Sequence, residues 1–218
     1  MNFLEYAWNI FPILLKGALV SIELTFLAIS IGLLLGIPLS LGRVYGNKFI
    51  YTCTTIYVEA FRGTPVLTQL FILYFGFPSI GIMFPPFTAA VIGLGLNSAA
   101  YQAEYFRGAI QAIKGGQMLA ARSIGMNTIK SIRYVVLPQM FRLVIPSWSN
   151  ELILLLKASS IAYMIQVPEL VSVGRQIASR NFRTFEIFLI IALIYFIIVE
   201  ILNKVLHLME RKIKIPGL

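Results

Sequence analysis

Long apolar runs separated by short polar stretches follow one another along the whole chain. An apolar run of about 20 residues is long enough for a helix that crosses a lipid bilayer. We place five such helices at residues 18–41, 51–75, 86–110, 135–156 and 185–206. The pattern therefore predicts an all-α polytopic membrane protein whose residues 1–218 form a single transmembrane domain.

The composition agrees with this pattern. Hydrophobic residues make up 58% of the chain and charged residues 12%, which is about half the charged share of an ordinary soluble domain. A chain this short cannot bury so many apolar side chains internally, so many of them are expected to face lipid. Residues 1–15 carry Glu5 and no basic region before the apolar run, so they predict a short interfacial segment rather than a cleaved signal peptide.

The basic residues indicate an orientation. The chain has 18 Lys and Arg against 9 Glu. This excess of positive charge does not indicate nucleic-acid binding, since basic residues collect in the cytoplasmic loops of membrane proteins. With the first loop in the cytoplasm, the inner set is Arg43, Lys48, Arg107, Lys114, Arg122, Lys130, Arg133, Arg142, Lys204, Arg211, Lys212 and Lys214. The outer set is Lys16, Lys157, Arg175, Arg180 and Arg183. The imbalance predicts an outer N-terminus and a cytoplasmic C-terminus, with the basic tail 211–214 at anionic headgroups.

The sequence gives no sign of a disulfide, a metal site or an ATP-binding site. Cys53 is the single cysteine and His207 the single histidine, so neither an intramolecular disulfide nor a Cys/His metal site is expected. The chain has no G-x4-G-K-[ST] phosphate-binding loop. The longest cytoplasmic segment, 111–134, is too short for a catalytic domain. The chain is therefore not expected to be an enzyme.

Residues 116–138 carry the most informative motif. We expect a short cytoplasmic helix over 117–124, with Ala120 and Ala121 on its surface and Gly125 as its C-terminal stop. Small surface residues let the backbone of a partner protein approach closely. From the residues alone, a docking helix and an ordinary basic loop both remain open.

This segment resembles the cytoplasmic loop shared by permease subunits of bacterial ATP-binding-cassette (ABC) importers, which reads Glu-Ala-Ala, three residues, Gly and a later Leu-Pro. The matching residues are Ala120, Ala121, Gly125, Leu137 and Pro138. Leu119 stands where that family usually has Glu. The resemblance implies that Gln117, Ala120, Ala121 and Gly125 couple the chain to an ATPase, through shape and apolar contact.

Two further stretches resemble the polar amino-acid branch of that family, nearest to its arginine, lysine and histidine type. The first, 58–71, matches through Arg62, Gly63, Thr64, Pro65 and Gln69. The second, 101–108, matches through Tyr101, Glu104, Arg107 and Gly108. The three motifs occur in order, and the similarity extends over 17–207.

The resemblance implies a type I ABC importer permease fold in a bacterial plasma (inner) membrane. It also implies a dimer of cytoplasmic ATPases that binds ATP and Mg, an extracytoplasmic binding protein that delivers the amino acid, and a second permease subunit. Five helices are few for a gated pathway, and pairing with a second copy or a close relative would supply ten; of the two we expect a homodimer rather than a heterodimer. This chain itself would hold no cofactor and would contact membrane lipids and the substrate, but no nucleic acid.

Glu151 is the sharpest candidate for substrate binding. An ionisable group at mid-membrane depth costs about 2.5 to 3.5 kcal/mol on the insertion scale and is functional by default. No basic residue lies three or four positions from Glu151, so the ammonium or guanidinium of a substrate can serve as its partner. Two alternatives stay open: a protonated Glu151, and an ion pair with Arg62 or Arg142.

Polar residues of the third helix and the break after Arg62 complete the predicted site. Asn97, Ser98 and Gln102 share one broad face with Tyr101 and Tyr105, where they can bind a zwitterion or hold helices together. We expect substrate contact for Asn97 and Gln102 and leave both readings open for Ser98. Pro65 frees backbone groups, so Leu67 and Thr68 can contact the carboxylate end of the substrate, with Arg62 as an alternative. Glu104 and Arg107 are expected to pair.

The leading hypothesis is thus the transmembrane subunit of an ATP-driven, binding-protein-dependent importer of polar, cationic amino acids that works by alternating access. One alternative is a permease for glutamine or glutamate. A gradient-driven secondary carrier that uses Glu151 as its proton site is another, although such carriers usually have more helices and internal repeats. A membrane scaffold whose polar groups only hold helices together is the third.

Overall fold

The computed structural model describes residues 2–113 and 115–213, which form helices and short connections without a strand among them. Lys114 and Lys214, two of the residues used to predict the orientation, lie outside the described residues. The α-helices of the described part are α1 Phe3–Tyr45, α2 Lys48–Gly63, α3 Val66–Phe71, α4 Pro86–Ala112, α5 Gly116–Ser123, α6 Thr128–Ser131, α7 Leu137–Ala158, α8 Leu170–Asn181 and α9 Thr184–Ile213. π-Helical turns follow α3 and α6, at Ile72–Gly76 and Ile132–Val136. 3₁₀ turns occupy Phe77–Ile80 and Ser159–Ile165.

The helices differ in how well they suit a bilayer. Two described segments are individually long and apolar enough to cross one, Glu5–Tyr45 and Thr184–Lys212. The number rises to four if each of two bent pairs counts as one span: Lys48–Gly63 with Val66–Ile80, bent by 104°, and Thr128–Ile165 with Leu170–Asn181, bent by 50°. α4 is not among them, because the polar residues in its middle lower its mean hydropathy. The all-helical class is confirmed, and the count of five stays a prediction.

The N-terminal residues were predicted as a short interfacial segment. They belong to α1, which runs without interruption from Phe3. Tyr6, Ile10 and Leu14 are buried in a cluster with side chains of α8 and α9. These apolar partners show that α1 begins well before the predicted start of the first span at residue 18, while an interfacial position of the first residues stays a prediction.

The predicted break in the second run is confirmed. α2 ends at Gly63 and the chain turns by 104° before α3. The Gln69 side chain stabilises this bend, since the two N–H groups of its Nε2 are shared among the carbonyl of Phe61 (2.8 Å), the carbonyl of Thr64 (3.1 Å) and the Thr64 hydroxyl oxygen (2.8 Å). The amide satisfies carbonyl groups that the break leaves without helical partners.

α1 and α4 pack closely along a stripe of glycines. A Cβ atom added to Gly36 would lie 3.0 Å from the Cβ of Gln102, and one added to Gly95 would lie 2.9 Å from the Cβ of Ile31. Small residues of this kind allow close approach of helices in membranes. The packing encloses the polar middle of α4 between α1 and α7.

The C-terminal end of α5 has the predicted glycine stop. Gly125 has a left-handed φ of 86°, its N–H donates to the Arg122 carbonyl (3.0 Å), and the Met126 N–H donates to the Ala121 carbonyl (3.1 Å). These two bonds form a Schellman motif, which favours glycine at the left-handed position. The prediction that Ala121 lies on the surface was wrong, because adjacent helical residues point about 100° apart and Ala121 faces inward while Ala120 is exposed.

Candidate functional site

A buried carboxylate lies at the interface of α4 and α7. Glu151 of α7 is 5% exposed. The Ser98 hydroxyl donates to its Oε1 at 2.8 Å, and the Tyr105 hydroxyl donates to its Oε2 at 3.3 Å. Each oxygen of the carboxylate therefore accepts from one neutral hydroxyl group, and both donors belong to α4.

Gln102 extends this cluster to α1. Its Nε2 donates to the Ile29 carbonyl and to the Ser98 hydroxyl oxygen, each at 3.1 Å. Its Oε1 accepts from Trp148 Nε1 at 3.1 Å. Ser98 and Gln102 are fully buried, so three helices meet through hydrogen bonds here. The structure thus brings together three of the predicted substrate residues, Glu151, Ser98 and Gln102.

No described lysine or arginine forms an ion pair with Glu151. The proposed alternative partner Arg62 instead lies near Glu104. Ser98 and Tyr105 leave lone pairs of the carboxylate free. Chemically, the group can accept further hydrogen bonds from an ammonium or a guanidinium, which are strong donors to an ionised carboxylate.

Asn97 lies beside Ser98 in sequence but points to a different part of the molecule. Its Nδ2 donates to the Phe61 carbonyl and to Gln69 Oε1, each at 3.1 Å. Asn97 therefore supports the bend between α2 and α3. Of the two residues predicted for the carboxylate end of the substrate, Thr68 is exposed on α3 and Leu67 is half-buried.

A second carboxylate on α4 has very different neighbours. Arg43 Nη1 donates to Glu104 Oε1, while Arg107 donates through Nε to Oε1 (3.0 Å) and through Nη2 to Oε2 (2.7 Å). Arg62 Nη1 is 3.7 Å from Oε2, and its guanidinium lies 5.5 Å from the ring centroid of Tyr101. The predicted pair of Glu104 with Arg107 is confirmed. Sequence reasoning missed Arg43, since nothing in the spacing connects positions 61 residues apart.

The predicted coupling residues lie in and directly after α5, which follows the C-terminal end of α4. Gln117 and Ala120 are exposed on α5. Three large apolar side chains are also exposed in this part of the chain: Leu119 (68%), Ile124 (76%) and Ile129 (76%). The segment thus presents apolar rather than acidic groups.

Residues 10–215 match the family described as binding-protein-dependent transport system inner membrane component. The chain belongs to this family. The permease is also 40% identical over 214 residues to the probable amino-acid ABC transporter permease protein YckA of Bacillus subtilis (strain 168), covering 95% of both chains. It is 34% identical over 210 residues to the glutamine transport system permease protein GlnP of Escherichia coli (strain K12), covering 95% of this chain and 96% of the relative.

A solved structure supports the same assignment. The permease resembles a chain of an amino acid ABC transporter crystallised with histidines, with a TM-score of 0.89 and 39% identity over 97% of this chain and 99% of that one. These findings make the chain a membrane-integral, transmembrane subunit of an amino-acid ABC importer in the inner membrane. Its family works with an ATPase on a separate subunit and with a binding protein.

Proposed function

We propose that this permease carries cationic amino acids, of the arginine, lysine and histidine type, through an ATP-driven cycle of alternating access. The observation that carries the proposal is Glu151, a buried carboxylate whose described hydrogen-bond donors, Ser98 and Tyr105, are both neutral. A buried carboxylate without a cationic partner is costly. An incoming ammonium or guanidinium supplies that partner and gains two charge-assisted hydrogen bonds.

The bend between α2 and α3 is the proposed position of the other end of the substrate. Leu67 and Thr68 follow the break directly, and Thr68 carries an exposed hydroxyl group. Asn97 holds the bend through Phe61. We assign the substrate's α-carboxylate to this region because broken helices in transporters expose backbone groups to ligand charges.

The burial of the site supports the proposal of alternating access. With Glu151 at 5% exposure, a substrate reaches the carboxylate only when helices around it separate. We assign the transmission of ATPase closure to Gln117, Ala120, Ala121 and Gly125. The exposed apolar Leu119 beside them supports a contact made through shape and apolar burial, since a Leu side chain gains about 1.5 to 3 kcal/mol when it is fully buried.

The proposed arrangement in the membrane has five spans, with the bent pair of Lys48–Gly63 and Val66–Ile80 as the second, α4 as the third and α7 as the fourth. The N-terminus is outside and the C-terminus inside, which leaves α5 in the cytoplasm and α8 outside. Two copies of the permease form the pathway. ATP and Mg bind to the partner ATPase.

Uptake by proteoliposomes that contain the complete transporter tests the substrate class. Glu151→Gln keeps the size of the side chain and removes its charge. We expect it to reduce uptake of arginine, lysine or histidine at least about tenfold, the loss that corresponds to about 1.4 kcal/mol, and to reduce glutamine uptake much less. Glu200→Gln, the same change at an exposed position of α9, is the matched control. Equal losses for cationic and neutral amino acids would contradict the proposal.

A neutral polar amino acid such as glutamine, or the related glutamate, is the second candidate. The amide of Gln102 and the hydroxyls of Ser98 and Tyr105 surround Glu151 with groups that also bind neutral polar ligands. If Glu151 is protonated, it donates a hydrogen bond rather than attracting charge. Preferred uptake of glutamine by the unaltered transporter, with little effect of Glu151→Gln on cationic amino acids, would favour this function.

The energy source needs a separate test. We expect uptake to require ATP inside the vesicles and to continue when an uncoupler removes the proton gradient. Uptake that needs the gradient and is indifferent to ATP would identify a secondary carrier with Glu151 as its proton site. Gly125→Pro disturbs the turn after α5, so unchanged ATP-dependent uptake by this variant would contradict the coupling role.

A further inference from the structure

The polar face of α8 and the turn before it enclose an open recess of about 530 Å³. We call it the α8 recess. Its lining consists of Tyr163, Gln166, Ser172, Arg175, Gln176 and Ser179. Every one of these side chains carries a hydrogen-bonding group, so the recess is suited to a polar partner.

Arg175 supplies the charge of the α8 recess. Its guanidinium lies 4.7 Å from the ring centroid of Tyr163. It forms no ion pair with a described residue and is exposed. Stacking on an aromatic ring orients a guanidinium while its N–H groups remain free to donate. The recess therefore presents an oriented cation that lacks an anionic partner.

Amide and hydroxyl groups surround this cation. Gln176 and Ser179 follow Arg175 on the same side of α8, and both are exposed. Gln166, which also lines the recess, has a left-handed conformation with a φ of 68°. A carboxylate prefers a planar fork of donors such as a guanidinium, supplemented by neutral donors.

The acidic residue nearest in sequence is occupied elsewhere. Glu169 is fully buried, and its carboxylate accepts from the backbone N–H groups of Val171 (2.9 Å) and Ser172 (2.7 Å) and from the Tyr195 hydroxyl (3.3 Å). These bonds cap the N-terminus of α8. Glu169 therefore stabilises the helix and leaves Arg175 available.

The helix that carries the α8 recess is held at both ends. At its start, the Leu170 N–H donates to the Ser21 hydroxyl at 3.2 Å, and a Cβ atom on Gly17 would lie 2.9 Å from the Leu170 Cα. At its end, Asn181 Nδ2 donates to the Tyr6 hydroxyl at 3.1 Å. α8 is thus a firm platform, which reduces the ordering cost of a contact with another protein.

We propose that the α8 recess receives an Asp or Glu side chain of the extracytoplasmic amino-acid-binding protein, with Arg175 as its ion-pair partner. The inference rests on the proposed function, which leaves α8 outside. The recess is open and is lined by amide and hydroxyl groups around one cation, which suits a protein carboxylate. Complementary charge at such a contact accelerates docking and selects the correct partner.

ATP hydrolysis by the reconstituted transporter in liposomes, stimulated by the binding protein, tests this inference. The probe is the binding protein that stimulates the unaltered transporter. Arg175→Glu should raise the binding-protein concentration for half-maximal stimulation about five- to tenfold at low ionic strength, and less at high salt, because exposed ion pairs are screened. Arg175→Lys keeps the charge and should give a smaller rise.

Arg180→Glu is the matched control, since Arg180 is exposed on α8 and does not line the recess. We expect it to change the half-maximal concentration less than twofold, and both variants to retain the basal ATP hydrolysis that shows a folded complex. Arg175→Gln replaces Arg175→Glu if the charge reversal lowers the yield of folded complex. It should raise the half-maximal concentration in the same direction by a smaller factor.

Three outcomes would overturn the inference. Equal effects of Arg175→Glu and Arg180→Glu would indicate that the overall positive charge of α8 attracts the binding protein, rather than a specific site at Arg175. An effect that depends on the fraction of anionic lipid and not on the binding protein would assign Arg175 to headgroups. Normal affinity in Arg175→Glu would remove the site alone, whereas an unaltered transporter that no binding protein stimulates would overturn the proposed function as well.

Discussion

Two carboxylates that contact side chains of α4 differ in their partners: those of Glu151 are neutral and those of Glu104 are cationic. Glu151 accepts from two neutral hydroxyl groups, those of Ser98 and Tyr105. Glu104, the neighbour of Tyr105 in sequence, has three guanidinium groups around it, from α1, α2 and α4. One carboxylate therefore lacks a cation that a ligand can provide, whereas the other is already neutralised by the protein.

The difference separates a carboxylate suited to holding the fold together from one suited to the proposed substrate contact. An ion pair whose charges are matched within the fold stabilises the arrangement of helices, and removing one partner leaves the others uncompensated. A carboxylate held by neutral donors does not need its charge for that purpose. Loss of charge at Glu104 should therefore lower stability more than loss of charge at Glu151, whereas loss of charge at Glu151 should mainly lower transport.

The largest effect on stability is expected for Glu104→Gln. The substitution leaves the guanidinium of Arg43, whose side chain is 9% exposed, without its closest anion, and the free energy of unfolding should fall by about 3 kcal/mol. Thermal unfolding of the purified permease complex in detergent measures the loss. Glu59→Gln is the control, since Glu59 is 63% exposed and lies 3.8 Å from Arg43. A Glu104→Gln variant as stable as that control would contradict a structural role for the cluster.

Gln102→Leu should have the next largest effect. It removes the acceptor of Trp148 Nε1 and the donor to the Ile29 carbonyl, so buried polar groups lose partners at a cost of about 2 kcal/mol. Trp148→Phe removes the N–H that would be left unpaired. The double variant should therefore lose less stability than the sum of the two single variants, which a double-mutant cycle measures. Additive losses would show that the two side chains act independently.

Glu151→Gln should change the free energy of unfolding by at most about 1 kcal/mol, because the amide oxygen can still accept a hydrogen bond from Ser98 or Tyr105. This small change contrasts with the large loss of cationic amino-acid uptake proposed for the same variant. Thermal unfolding, compared with that of Glu104→Gln under the same conditions, measures it. A loss as large as that of Glu104→Gln would remove the distinction between the two carboxylates.

Sequence reasoning identified the helical membrane class, the break at Pro65 and the stop at Gly125, because each depends on local chemistry, while the substrate role of Glu151 stays a prediction. Hydropathy is a property of a short run of residues, and a missing backbone N–H or a glycine at a helix end is a property of one residue. The pair of Glu104 and Arg107 was also predictable, since helix geometry brings residues three apart together.

Contacts between distant segments were not predictable in the same way. Asn97 and Ser98 are adjacent in sequence, but α4 directs one to the bend after α2 and the other to Glu151. Arg43 reaches Glu104 only because glycines let α1 approach α4. Such arrangements depend on how helices pack. Small residues in the sequence indicate that two helices can approach closely, but they do not identify which helices do so.

The smallest effect is expected at Arg62, and it sharpens the comparison within the Glu104 cluster itself. The Arg62 side chain is 37% exposed and its Nη1 lies 3.7 Å from Glu104 Oε2, whereas Arg107 Nη2 lies at 2.7 Å. Water screens the longer and more exposed pair, so Arg62→Gln should lower the free energy of unfolding by about 0.5 kcal/mol. Arg43→Gln, which removes the most buried guanidinium of the cluster, should cost several times more. Thermal unfolding of both variants tests this order. Equal losses would mean that Arg62 contributes as much as Arg43 and that burial does not set the strength of these pairs, while a loss of uptake in Arg62→Gln without a loss of stability would assign Arg62 to the carboxylate of the substrate.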